Sequence, residues 1–198
     1  MAGRPREFDK YQVLEKIQQV FWDRGYESTS MSDLVAATGI ASARLYAAYG
    51  SKEALFRETI ERYEQQEGGF ADRALAEEPT FRRAIERILR EAVEVYTSGG
   101  SRGCMVVSAA TNCSPANDDV RRWLAERRRR RTDSLVERLR AAVIAGELSA
   151  SIDVQAVGDA YAAVLHGISV QARDGVPRER LLALIGPALC LIDCHRPD

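Results

Sequence analysis

The feature that most restricts this chain is the spacing of its apolar residues. They recur every three or four positions almost from end to end, and no stretch shows the alternation of a half-buried strand. The pattern predicts an all-α fold. Over 9–24, Val13, Ile17, Val20 and Phe21 form the stripe of an amphipathic helix, with Asp9 as its cap and Gly25 as its stop. Ser30 opens a short second helix, with Asp33 placed three residues on as in a capping box, and Gly39 ends it. Ile40 plugs the turn. A third helix runs over about 41–49, with Leu45 and Tyr49 one turn apart, and Ser51 caps a fourth over 52–67. Gly68-Gly69 and Glu77-Glu78-Pro79 mark a loop. Further helices are expected over 80–97, from about Cys104 to Ser114, over about 117–146, from Asp153 to about 173, and from Pro177 to about Cys194. Ser98-Gly99-Gly100-Ser101 reads as a flexible joint.

Composition narrows the function. The 198 residues suffice for one or two small domains, and 45% apolar with 29% charged residues is ordinary globular usage. The net charge of −1 provides no global basic field, so nucleic-acid binding would rest on a local patch in each copy of a dimer. No apolar run reaches membrane-spanning length and the N-terminus lacks a signal-type apolar core, so a cytoplasmic protein without membrane contact is expected. Four cysteines without C-x-x-C spacing and only two histidines predict neither a disulfide framework nor a metal site. No nucleophile–base pair or Gly-rich phosphate loop is present, so neither an enzyme nor a cofactor is expected.

Residues 30–49 have helix-turn-helix spacing. Gly39 lets the chain reverse at low steric cost, Ile40 and Leu45 lock the helices at a steep angle, and the second helix is left with a free face that fits a major groove.

The stretch G-Y-E-S-T-S-M-S-D-L-V-A-A-T-G-I-A-S-A-R-L-Y-A-A-Y-G-S-K-E-A-L-F over 25–56 resembles the N-terminal domain of TetR/AcrR-type transcriptional repressors. The likeness covers roughly 8–66, and G-C-M-V-V-S-A-A at 103–110 is similar to the start of the effector domain in one branch of that family. The resemblance implies that Tyr46 and Lys52 grip phosphates, that Thr29 and Ser30 touch phosphate ahead of the second helix, and that Ser32, Ser42, Ala43 and Arg44 face base edges. Ala41 departs from the Ser, Thr or Asn usual there, so the cap is lost or passed to Ser42, and an Ala cap costs about 1 kcal/mol relative to Ser. Gly3-Arg4-Pro5-Arg6 reads equally as a disordered tail or as an arm whose Arg4 and Arg6 enter a minor groove.

In the second half, 154–170 and 181–192 are apolar over more than one stripe, which fits pairing across a twofold into a four-helix bundle, as the resemblance implies. The long helix breaks its apolar stripe with Arg127 to Arg131. Those at inward positions must pair with acids, snorkel, or reach a solvated pocket or an anionic ligand. Tyr96, Cys104, Trp123 and His166 are polar or soft groups within apolar helices and are the candidates to line an effector cavity. Cys104 and Cys113 also suit thiol chemistry.

The expectation is therefore a helix-turn-helix DNA-binding domain at 1–52 and a helical effector-binding and dimerisation domain at 53–198. Its partners would be double-stranded operator DNA, a second copy, and a small-molecule effector that releases the repressor. The alternatives are a helical ligand-binding protein without DNA binding and a repressor that responds to oxidants or electrophiles through a thiol.

Overall fold

Asp9 accepts hydrogen bonds from the N–H groups of Tyr11 and Gln12 and opens α1 (Lys10–Arg24), whose buried stripe is Val13, Ile17 and Phe21. The computed structural model describes residues 9–111 and 113–195, so Arg4 and Arg6 lie outside the described residues. Every regular element among them is helical. α2 (Met31–Thr38) and α3 (Ser42–Tyr49) follow, then α4 (Lys52–Gln65), which packs along α1. Phe21 meets Phe56 of α4 edge-on at 5.0 Å between ring centroids, and Trp22 meets Tyr63 in the same manner at 4.9 Å. The boundary expected at 52/53 therefore falls at the head of a helix whose residues pack on α1.

The second half contains α5 (Phe70–Glu77), α6 (Phe81–Thr97), the single turn α7 (Met105–Ser108), the long α8 (Asp118–Ile144), α9 (Val154–Arg173), α10 (Arg178–Ala183) and α11 (Ile185–Asp193). α6 is buried against α5 and α9 through Phe81, Ile85, Ile88, Leu89 and Ala92, while α8 lies along α9. Gly158 permits that approach, because a Cβ there would collide with the Val136 side chain.

Three elements depart from the sequence reading, and one is the helix expected from about Cys104 to Ser114, which is only the single turn α7 over Met105–Ser108. The expected loop after Gly69 contains α5, whose Phe70, Ala71 and Ala74 bury one face. The last helix is split at Leu184, because Pro187 has no N–H to donate to the Ala183 carbonyl.

Candidate DNA-reading face and ligand cavity

The helix-turn-helix is fixed by its caps. The Ser30 hydroxyl accepts from the Asp33 N–H at 3.2 Å while the Asp33 carboxylate accepts from the Ser30 N–H at 2.8 Å. Those Ser30 bonds, with Arg24 adding an ion pair at 2.6 Å, hold the Asp33 carboxyl below its ordinary pKa. Gly39 ends α2 at φ 71°, a left-handed conformation that suits glycine. Leu34, Ile40, Leu45 and Tyr49 are buried beneath the turn.

α3 thus presents an outward face. Ala43, Arg44, Tyr46 and Ala47 are exposed and Ser42 is half-buried, while Ser32 is exposed in the first turn of α2. Ala41 makes no side-chain cap, as its residue type predicts. Lys52, at the head of α4, is half-buried with its Nζ 4.3 Å from the centre of the Tyr26 ring. Burial lowers its pKa, with Glu27 opposing.

Two of the expected phosphate contacts are placed differently. Thr29 is buried and its hydroxyl donates to the Gly25 carbonyl at 2.7 Å, so that proton serves the turn after α1 and does not face outward. The Ser30 hydroxyl donates to Asp33 at 2.6 Å and is committed to the α2 cap.

A cavity opens in the second half. α6 contributes Tyr96, α9 contributes Ala162, Leu165 and His166, and α5 contributes Phe70 and Ala71. Tyr63 and Glu64 enter from α4, Cys104, Val106 and Val107 from α7 and the residue before it, and Arg127, Arg128 and Arg131 from α8. The Tyr63 hydroxyl donates to the Cys104 sulfur at 3.5 Å. Burial, then the adjacent Cys104, pushes both the Tyr63 and the Tyr96 phenols upward, so both stay neutral donors. His166 is pushed the other way, by burial and then by the Arg128 charge, and is neutral at pH 7.

Tyr96, Cys104 and His166 thus line one space, and Trp123 does not. Trp123 carries the Arg57 guanidinium 4.8 Å and the Arg127 guanidinium 4.3 Å from its ring centre, and it meets Phe56 at 6.4 Å. It belongs to the joint between α4 and α8. The wall residues Tyr63, Phe70 and Arg128 were not marked as candidates by the sequence, because no spacing rule brings six helices to one point. The inward arginines resolve largely by pairing: Arg127 meets Glu61 at 3.1 Å and also Glu64, and Arg131 meets Asp72 at 2.5 Å.

The cavity wall is bonded to the helix-turn-helix half. The Gly103 carbonyl accepts from the Trp22 indole at 2.9 Å, and the Ala109 carbonyl accepts from the Tyr26 N–H at 2.7 Å. The Cys104 N–H donates to the Ser169 hydroxyl at 2.7 Å. Segment 103–109 is therefore a strut that faces the cavity on one side and holds the end of α1 on the other.

A capped helix-turn-helix joined to a helical cavity domain defines the class of helix-turn-helix transcriptional regulators. Residues 13–59 match the family model described as "Bacterial regulatory proteins, tetR family", and residues 95–175 match "Tetracyclin repressor-like, C-terminal domain". The HTH-type transcriptional repressor ComR of Escherichia coli strain K12 is 31% identical over 191 residues, covering 96% of this chain and 91% of that protein. A solved structure of the TetR family regulator CifR, a cysteine mutant complexed with 26bp double-strand operator DNA, is similar at a TM-score of 0.91 and 42% identity. It covers 94% of this chain and 98% of that one. A TetR regulator from Rhodococcus sp. RHA1 gives a TM-score of 0.65 at 34% identity, over 96% of this chain and all (100%) of that one. The chain belongs to the TetR family of bacterial transcriptional regulators.

Proposed function

We propose that the protein is a dimeric, cytoplasmic repressor that reads operator DNA with two copies of α3 and leaves it when a small molecule fills the cavity. On this reading Arg44, Ser42, Ala43 and Ser32 face base edges, and Tyr46 and Lys52 hold phosphates. The free state sets the two α3 helices about 34–36 Å apart, one turn of DNA. The observation that carries the proposal is the strut: the turn that supplies Val106 and Val107 to the cavity ends at the carbonyl that holds Tyr26. A ligand that pushes on α7 shifts the end of α1 and, with it, the spacing of the reading heads.

Dimerisation is supported by an uncovered surface. On α9, Ala163 and Val170 are exposed and Ala160, Val164 and Gly167 half-buried, and on α11 Pro187, Cys190 and Leu191 are exposed. Val170 is 50% and Leu191 37% exposed in the single chain. The effector is unidentified, so the test uses a substitute for it. Ala162 is buried against the cavity, and Ala162→Phe fills part of that space from within. It should keep the fold and lower affinity for the gene's own promoter DNA by roughly tenfold or more, since a population shift of that size needs about 1.4 kcal/mol. Unchanged promoter affinity in a folded variant would sink the release mechanism. A thiol-reactive effector is the second reading, because the Cys104 sulfur lies in the cavity wall. On that reading Cys104→Ser abolishes the response to the effector and leaves free-state DNA binding intact.

A further inference from the structure

Burying a guanidinium without a carboxylate is costly. Three arginines of α8 reach the cavity, and they resolve that cost differently. Arg127 is met by Glu61 and Glu64 from α4, and Arg131 by Asp72 from α5. Arg128 is half-buried, and no carboxylate pairs with it among the described residues. Its Nη1 donates to the Val106 carbonyl at 2.8 Å, and the rest of its fork has no protein acceptor among those residues. Burial lowers its pKa, with Cys104 opposing and the neighbouring Arg129 and Arg121 charges adding to the shift. The cavity wall beside it carries Phe70, Val107 and Leu165, the two phenols and the neutral His166 imidazole, and its one carboxylate, Glu64, is paired with Arg127.

We infer that the cavity takes a monoanionic carboxylic acid with a compact apolar body, its carboxylate held by the free edge of the Arg128 fork. Planar, two-point recognition of a carboxylate is what a guanidinium does best. The inference rests on the reading of this cavity as the effector site. It also gives the acid a route to the strut, because Arg128 holds the Val106 carbonyl of α7.

The test is calorimetry on the full-length dimer without DNA, using matched pairs: phenylacetate with phenylacetamide, and octanoate with octanamide. In at least one pair the acid should bind about tenfold to a hundredfold more tightly than its amide, the range of a charge-assisted contact. Arg128→Gln keeps a donor for the Val106 carbonyl but removes the charge. It should bring the acid down to the affinity of the amide and leave the amide unchanged, a pattern that misfolding would not give. Equal affinities within every pair, a preference that survives Arg128→Gln, or no acid binding at 10 mM each overturn the inference. If the variant does not fold, the wild-type comparison of acid with amide decides alone. Operator release, measured separately, tells the two readings apart. An acid that binds without releasing DNA leaves the inference standing and removes the effector role. Release by uncharged molecules alone does the reverse.

Discussion

At the scale of single residues, the proposed reading gives α3 and the head of α4 two kinds of DNA contact. Arg44 is exposed on the outward side of α3, one residue before the buried Leu45. Arg44→Ala should relax preference at one symmetric base pair per half-site, a loss of about 1–3 kcal/mol of discrimination. Lys52→Ala should instead weaken promoter and random DNA alike and lower the salt slope by about one unit. Binding isotherms over a series of salt concentrations and operator variants distinguish them. If Lys52→Ala changed base preference and kept the slope, its role as a phosphate anchor would be wrong. His166 gives a second prediction at this scale. Its folded pKa lies below the ordinary value of about 6.5. The unfolded chain therefore takes up the proton first, and the stability His166 contributes is complete above about pH 6.5 and lost as pH falls toward the folded pKa. Thermal stability of the wild type should drop through that window more than that of His166→Gln. Parallel curves would show that His166 is not held neutral.

At the scale of elements, local signals were legible and cross-chain pairings were not. Asp9, Ser30, Ser51 and Asp153 each cap the helix their spacing announces, and Gly39 and Gly50 end theirs. Such signals act within a few residues, so one sequence carries them. α5 escaped because Gly68-Gly69 and Glu77-Glu78-Pro79 bracket only seven residues, too few for a convincing period. Trp123 escaped for a different reason. A tryptophan within an apolar stripe reads as a cavity lining, and only tertiary structure brings Arg57 from α4 onto its ring. The partners of Arg127 and Arg131 likewise sit more than fifty residues away in sequence, at Glu64 and Asp72. The corrected role of Trp123 changes what its removal should do. Trp123→Ala should cost roughly 1–2 kcal/mol, from two cation–π contacts, and should weaken the effect of cavity filling on DNA binding while ligand affinity stays the same. Calorimetry beside DNA binding checks this. Lost ligand affinity with intact coupling would return Trp123 to the cavity.

For the whole molecule, the pairing surface decides the mechanism. A charge at Leu165 or Ile185 would not test it, although both lie in the apolar helices singled out from the sequence. Both are buried within the single chain, at 6% and 2% exposure, so a charge there breaks the fold first. Val170 is the better probe. Val170→Glu should give a folded monomer by sedimentation and lose promoter binding, because one reading head supplies too little affinity for a specific site. A folded dimer from that variant would move the interface elsewhere.

The most direct measurement is binding of the wild-type protein to DNA flanking its own gene, titrated against random DNA of equal length at physiological salt. The expected result is protection of a twofold-symmetric site by an even number of chains, with affinity at least about a thousandfold above that for random DNA. Equal affinity for both DNAs, or saturation by a single chain, would contradict a dimeric operator-reading regulator.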